Sequence, residues 1–182
     1  MSTVADLDGV LDALIRNVPD FPEPGVVFKD ITPLLADHDG FTAAVDALAD
    51  AGRDEAGNTV VDKVVGMEAR GFILAAPVAL ALGVGFVPVR KAGKLPGETY
   101  AVSYALEYGE ATLEVHRDGI GQGERVLLVD DVLATGGTAD ATRQLVERCG
   151  GVVHTFAVLL ELGFLNGRDA IGDTPLHAVR TV

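Results

Sequence analysis

Asp130 and Asp131 form an adjacent carboxylate pair, and Ala134-Thr-Gly-Gly-Thr138 follows with small side chains, two hydroxyls and two glycines. Successive backbone N–H groups in a glycine loop at a helix N-terminus make an anion nest, and the helix dipole adds to it. The dipole alone contributes about 0.3–1 kcal/mol, so charge-assisted hydrogen bonds from Thr135 and Thr138 must supply much of the rest. An acidic pair repels a phosphate but suits sugar hydroxyls, which donate to carboxylates. Together the two features describe a site for a sugar phosphate. Ala134, Thr135, Gly136, Gly137 and Thr138 would cradle the phosphate, and Asp130 and Asp131 would suit the sugar's diol. A lone glycine loop is weak evidence, but this whole string is not. It is also neither the Gly-Lys-Ser/Thr of a P-loop nor the Gly-x-Gly-x-x-Gly of a nicotinamide fold.

The elements that must hold these groups can be read on either side. Val126 to Val129 is a continuous apolar run suited to a strand buried on both faces, with the acids placed where it should emerge from the sheet. Thr138 to Cys149 carries a helical pattern that stops at Gly150-Gly151. A second strand–loop–helix unit precedes it: Lys63 to Met67, then Glu68-Ala-Arg-Gly71, then a helix over Phe72 to Leu82. Open α/β sheets bind ligands at the carboxyl edge of their strands, so a loop bearing Arg70 there is well placed. Phe86 to Arg90 predicts the next strand, and Lys91 to Gly97 is too rich in Gly and Pro to be regular. Tyr100 to Tyr108 and Ala111 to His116 alternate like two strands joined at Gly109-Glu110, a β-arm within residues 92–116 that could act as a lid.

Upstream, Val4, Leu7, Leu11, Leu14 and Ile15 predict an amphipathic helix ending before Pro19, followed by a stiff proline-rich turn from Asp20 to Gly25. Val26 to Ile31 reads as extended, Thr32-Pro33 as a helix start, and Phe41 to Ala49 as a helix. Downstream, Val152 to Leu160 predicts a strand, Asn166-Gly167 a turn and Leu176 to Val182 a last short strand. Alternating strands and helices predict an α/β fold, a mainly parallel sheet flanked by helices. The 182 residues fit one domain, with residues 1–35 as an N-terminal helix and hood over the carboxyl edge.

The net charge of −13 argues against nucleic acid or an anionic membrane as partner. It does not forbid a phosphorylated substrate. Screening over about 8 Å leaves local Lys and Arg in control. The single cysteine, Cys149, allows no intrachain disulfide and suits a reducing, cytoplasmic compartment. No signal peptide is expected at the N-terminus. Gly71 to Val89 is uncharged and nearly long enough to span a bilayer, but Pro77, Gly83, Gly85 and Pro88 divide it into helix, turn and strand. The four histidines show no ligand spacing, so no structural metal site is expected.

The stretch from Val126 to Thr138 resembles the type I phosphoribosyltransferases, which bind 5-phosphoribosyl-1-pyrophosphate (PRPP). Four further strings resemble the adenine-specific branch of that family: Phe21 to Pro33, Glu68 to Phe72, Val89 to Gly97 and Leu106 to Gly109. The resemblance implies transfer of the 5-phosphoribosyl group from PRPP to adenine, giving AMP and pyrophosphate in purine salvage. It also implies a cytoplasmic homodimer using Mg²⁺ bound mainly through PRPP, with no metal site made by protein alone.

By the same resemblance, Glu68, Ala69 and Arg70 form the pyrophosphate loop, with a cis peptide between Glu68 and Ala69. Arg90, Lys91 and Lys94 contact the phosphates, in cis or across a dimer. Phe28 stacks on the base, Val132 or Leu162 packs on its other face, and Val27 and Lys29 offer main-chain groups to its edge. Glu107 is the catalytic carboxylate, with Arg70 beside the leaving group, and Tyr108 helps close the lid. Base choice follows a chemical argument. A 6-oxopurine calls for a donor such as Lys, whereas Val152 to Asn166 contains no Lys or Arg, which favours adenine. Hypoxanthine, guanine or xanthine remain alternative bases because Lys29 is ambiguous. A PRPP-sensing regulatory protein is a further alternative, for which the chain lacks a basic face or an added nucleic-acid module.

Overall fold

The computed structural model describes residues 4–106 and 108–182, leaving aside the side chains of residues 4–6, and the chain divides into two compact units, 1–46 and 47–182. The first unit holds α1 (Val4–Leu14), β1 (Arg16–Pro19), β2 (Val27–Asp30), α2 (Thr32–Ala36) and most of α3 (His38–Ala49). Leu11, Ile31 and Leu34 are buried in it. A methyl group on Gly40 would meet Leu14 and Leu34 side chains within 2.7 and 3.0 Å, so α3 can approach only because that position is glycine. β1 pairs antiparallel with β2, Val18 opposite Phe28, and an Arg16–Asp30 ion pair at 3.1 Å closes the ends. Asp20 Oδ1 accepts from Gly25 N at 2.8 Å and fixes the connecting turn.

The second unit is built on a seven-stranded sheet. Its strands are β3 (Lys63–Met67), β4 (Gly85–Lys91), β5 (Thr99–Ala105), β6 (Glu110–His116), β7 (Arg125–Leu133), β8 (Val152–Glu161) and β9 (Leu176–Thr181), in the order β5-β6-β4-β3-β7-β8-β9. β4, β3, β7, β8 and β9 run parallel, and the β5–β6 hairpin adds antiparallel to β4. The mainly parallel sheet is therefore as expected. The arm differs in one respect: it continues the sheet through Arg90↔Glu114 and Lys91↔Leu113 rather than rising clear of it.

Val64, Val65, Met67, Val126, Leu127, Leu128 and Val129 are all buried because helices cover both faces. α4 (Arg70–Leu82) lies on one face, where a methyl group on Gly66 would meet Ala75 Cβ. The side chains of Val65 and Met67, which alternate with Gly66, join the opposite cluster with Leu145 and Val146 of α5 (Gly137–Arg148). Each fully buried leucine in these layers stabilises the unit by roughly 1.5–3 kcal/mol relative to exposure. Among the described residues no helix is long and apolar enough to cross a membrane.

Several boundaries moved. β7 runs on through both acids to Leu133 because that half pairs with β8, while its pairing with β3 ends at Val129. β5 stops at Ala105, short of the expected Tyr108, where Leu106 N bonds to Gly109 O and closes the hairpin tip. Sequence reading missed β1 and α6 (Gly167–Ile171), the latter starting directly after Asn166 in a left-handed conformation.

Candidate active site

Three strand ends deliver the predicted residues to one edge of the sheet. After β3 comes Glu68-Ala69, whose peptide is cis, and then α4 beginning at Arg70. β4 ends on Arg90 and Lys91, and β7 ends beside the loop that caps α5. Glu68 binds the β4 end: its Oε2 accepts from Lys91 N at 2.9 Å and from Arg90 Nε at 3.3 Å. The Lys91 N–H is the main cause holding the Glu68 carboxyl below its ordinary range, and the Arg90 charge adds to it against burial. Arg90 also lies 5.9 Å from the centre of the Phe72 ring. Glu68 thus acts as a bracket that keeps two predicted phosphate cations at the mouth of the loop. Lys94 is exposed on the irregular segment after β4.

The loop from Ala134 to Thr138 surrounds a cleft of about 80 Å³ lined by Asp130, Val132, Leu133, Ala134, Thr135, Gly136, Gly137, Thr138, Ala139 and Phe156. This gathers every residue of the predicted cradle, together with the first acid. Gly136 sits at φ +86°, a left-handed angle that non-glycine residues rarely adopt, and it caps α5. Asp140 N donates to Gly136 O at 2.9 Å, so the helix begins directly from the loop and aims its N-terminus at the cleft.

Asp130 and Asp131 do not act as a matched pair. Asp131 is 5% exposed, and its Oδ2 meets Arg70 Nε at 2.8 Å; Asp131 is absent from the cleft lining. That oxygen accepts no hydrogen bond among the described residues, so the Arg70 charge is its compensation. Asp130 Oδ1 accepts from Asp131 N at 2.8 Å and lies 2.8 Å from where a methyl group on Gly71 would stand. Burial pushes the Asp130 carboxyl well above its ordinary range, and the neighbouring Asp131 charge adds to the effect. A sugar diol would bring donors to such a group and favour its charged form.

The remaining predicted residues divide between the units. Val27, Phe28 and Lys29 lie on β2; Phe28 meets Phe21 edge to face at 5.2 Å, and Lys29 Nζ donates to Asn17 Oδ1 at 2.8 Å. Val132 and Leu162 are half-buried in the second unit, where Leu162 N donates to Leu133 O at 2.9 Å. Tyr108 is 83% exposed at the hairpin tip. Glu107 lies outside the described residues.

Two features of the site were missed in the sequence. Tyr104 of β5 covers Gly137 and binds Thr138 through its hydroxyl. Glu161, at the end of β8, is a buried carboxylate bonded to Arg168. A lone acid closing an apolar strand at the binding edge was the available signal for Glu161. Nothing in the alternation of β5 distinguishes Tyr104.

Residues 34–169 match the phosphoribosyl transferase domain. The adenine phosphoribosyltransferase of Nocardioides sp. is 72% identical over 170 residues, covering 93% of this chain and 92% of that one. The solved adenine phosphoribosyltransferase of Rhodothermus marinus is 50% identical, with a TM-score of 0.90 over 98% of this chain and 99% of its own. The Saccharomyces cerevisiae enzyme, solved with adenine and an imino-altritol bisphosphate, is 38% identical with a TM-score of 0.91, over 97% and 99% of the two chains. A cradle of this form, a domain match over most of the length and relatives this similar place the chain in the phosphoribosyltransferase family, in its adenine phosphoribosyltransferase branch.

Proposed function

We infer that this chain transfers the 5-phosphoribosyl group of PRPP to adenine, forming AMP and releasing pyrophosphate. The observation that carries the reading is the 80 Å³ cleft in which Ala134 to Thr138 and Asp130 meet. A phosphate at the N-terminus of α5 receives loop N–H groups and the Thr135 and Thr138 hydroxyls, and Asp130 receives a ribose hydroxyl. Asp131 takes the second hydroxyl, and Arg70, which stays paired with it, is the cation assigned to the leaving group.

In the reaction the bond from C1′ to the pyrophosphate oxygen breaks, its electron pair leaving with pyrophosphate. Adenine N9 supplies the pair for the new bond to C1′ and gives up its proton. Arg70, Arg90, Lys91 and Lys94 stabilise the departing charge, with Glu68 holding Arg90 in place. Glu107 receives the purine's proton or offsets the positive charge that develops on the ribose. Water would capture an oxocarbenium-like sugar, so the 92–116 arm with Tyr108 acts as the lid that excludes it. By this reading Phe28 offers adenine a stacking face. Val27 and Lys29 contribute main-chain groups, and Val132 and Leu162 contribute apolar contact in the second unit.

Mg²⁺ held mainly by PRPP would supply positive charge against the diphosphate. Asp130 and Asp131 are oxygen donors that could touch such an ion, with PRPP providing the rest of its shell. The exposed Ile73 and Leu80 on the outer face of α4 suit a second copy of the chain, making a homodimer, and the single cysteine suits the cytoplasm. Initial rates with PRPP and each of adenine, hypoxanthine, guanine and xanthine test the assignment. Adenine should turn over fastest by well over tenfold, and faster turnover of another base overturns it.

A further inference from the structure

Glu161 and Arg168 lie outside the chemistry described so far, yet they join the strand end behind the phosphate loop to the helix beneath it. Glu161 is the last residue of β8, and its side chain is 6% exposed. Arg168 Nε donates to its Oε1 at 2.5 Å and Nη2 to its Oε2 at 2.7 Å, a two-pronged bond, while Thr181 Oγ1 of β9 donates to Oε2 at 2.9 Å. Arg168 stands in the single turn of α6, so this bond sets where α6 begins.

That position matters because α6 backs the loop with no room between them. A methyl group on Gly136 would lie 2.5 Å from Gly167 O and 2.7 Å from Ala170 Cβ. In the other direction, a methyl group on Gly167 would collide with Ala134 O and stand 3.0 Å from Leu133 Cγ. Two backbones therefore rest on each other, Ala134 to Gly136 on the ligand side and Gly167 behind. Leu162 N to Leu133 O at 2.9 Å and Gly163 N to Val182 O at 2.9 Å fasten the intervening turn to the same strand ends.

We propose that Glu161 and Arg168 are positioning residues for the 5′-phosphate cradle, acting through Gly167 on the backbone of Ala134 to Gly136. A buried carboxylate paired with a half-exposed arginine gains little stability overall, because desolvation offsets the attraction. Placement is the gain. A nest built of backbone N–H groups loses affinity when its donors shift, and a displacement of about 1 Å can cost as much as 10²-fold in rate. The inference rests on the reading of Ala134 to Thr138 as the phosphate site.

The test uses the full-length enzyme and three variants: Glu161→Gln, Arg168→Lys and the neutral double variant E161Q/R168Q, which leaves no unpaired buried charge should a single variant fail to fold. Ribose 5-phosphate, which cannot react, probes the cradle by calorimetry well below each variant's melting temperature. Its Kd and the KM for PRPP should rise together by roughly tenfold, while the KM for adenine stays within about twofold. A merely structural role would lower the Tm and leave the ribose 5-phosphate affinity unchanged, which overturns the proposal. A loss confined to adenine overturns it as well. Wild-type enzyme that turns over PRPP and adenine upholds the functional reading whatever the variants do. Wild-type enzyme that fails to bind ribose 5-phosphate sinks both.

Discussion

The Tyr104 hydroxyl lies 2.9 Å from Thr138 Oγ1, joining the hairpin arm to the proposed phosphate loop. Either hydroxyl can donate in this contact; with Tyr104 as donor, Thr138 keeps its own proton for an anion. The ring also lies 3.0 Å from where a methyl group on Gly137 would stand, so it roofs the loop as well as bonding to it.

Tyr104→Phe keeps the roof and removes the bond. A net hydrogen bond is worth about 0.5–1.5 kcal/mol, so the KM for PRPP should rise by roughly 2- to 12-fold with kcat little changed. Steady-state kinetics with PRPP varied at saturating adenine reads this directly. An unchanged KM would mean that Thr138 finds its orientation elsewhere.

Asp130→Asn should stabilise the protein while weakening its substrate binding. Burial raises the Asp130 carboxyl above its unfolded value, so its charged form costs stability at neutral pH. The cost is relieved as the pH falls and is gone below the ordinary aspartate value near 3.9. The variant should therefore melt a few degrees higher at pH 7, with the gap closing toward about pH 4. Its KM for PRPP should rise because an amide is a poorer acceptor for the ribose. Thermal melts across pH, beside PRPP kinetics, check both halves.

Glu161 carries the opposite sign. The Arg168 hydrogen bonds are the main cause lowering its carboxyl below the ordinary range. Its stabilising contribution is present above the unfolded glutamate value near 4.3 and is lost as the pH falls through the lower folded value. Wild-type protein should lose stability along this acid limb more steeply than Glu161→Gln, and the two should run parallel above about pH 6. Denaturant melts between pH 3 and 7 measure the slopes.

Glu107→Ala tests the proposal that Glu107 is the catalytic carboxylate. General acid–base groups contribute about 10²–10⁴-fold, so kcat should fall by at least 10²-fold while the Kd for PRPP moves less than about threefold. Single-turnover rates separate that loss from product release. Full kcat in this variant removes Glu107 from the mechanism.

Contiguity decided what could be read from the sequence. Lys63–Met67, the run ending at Val129, and α5 each carry their own periodicity, and the cradle from Ala134 to Thr138 is one unbroken string. β1 could not be seen, because Arg16–Pro19 is largely exposed and becomes a strand only by pairing with β2. The five residues of α6 are too few for a helical pattern, and Asn166-Gly167 before them signals only a turn. The apolar-polar alternation of Tyr100 to Tyr108 outlasts its strand because the hairpin tip closes early at Leu106. Tyr104–Thr138 spans thirty-four positions, and a contact at that separation leaves no mark on local pattern. The opposed surroundings of Asp130 and Asp131 were hidden for the same reason, since Gly71 and Arg70 come from a different strand–helix unit.

The hairpin and the cation-bearing strand are one piece of sheet, zipped at Arg90↔Glu114 and Lys91↔Leu113. The arm's base is thereby tied to the strand that bears both cations. A tilt that reached this base would flex the sheet's border and carry the guanidinium and ammonium at 90 and 91 with it. Sealing out solvent and drawing positive charge onto the diphosphate would then be a single movement.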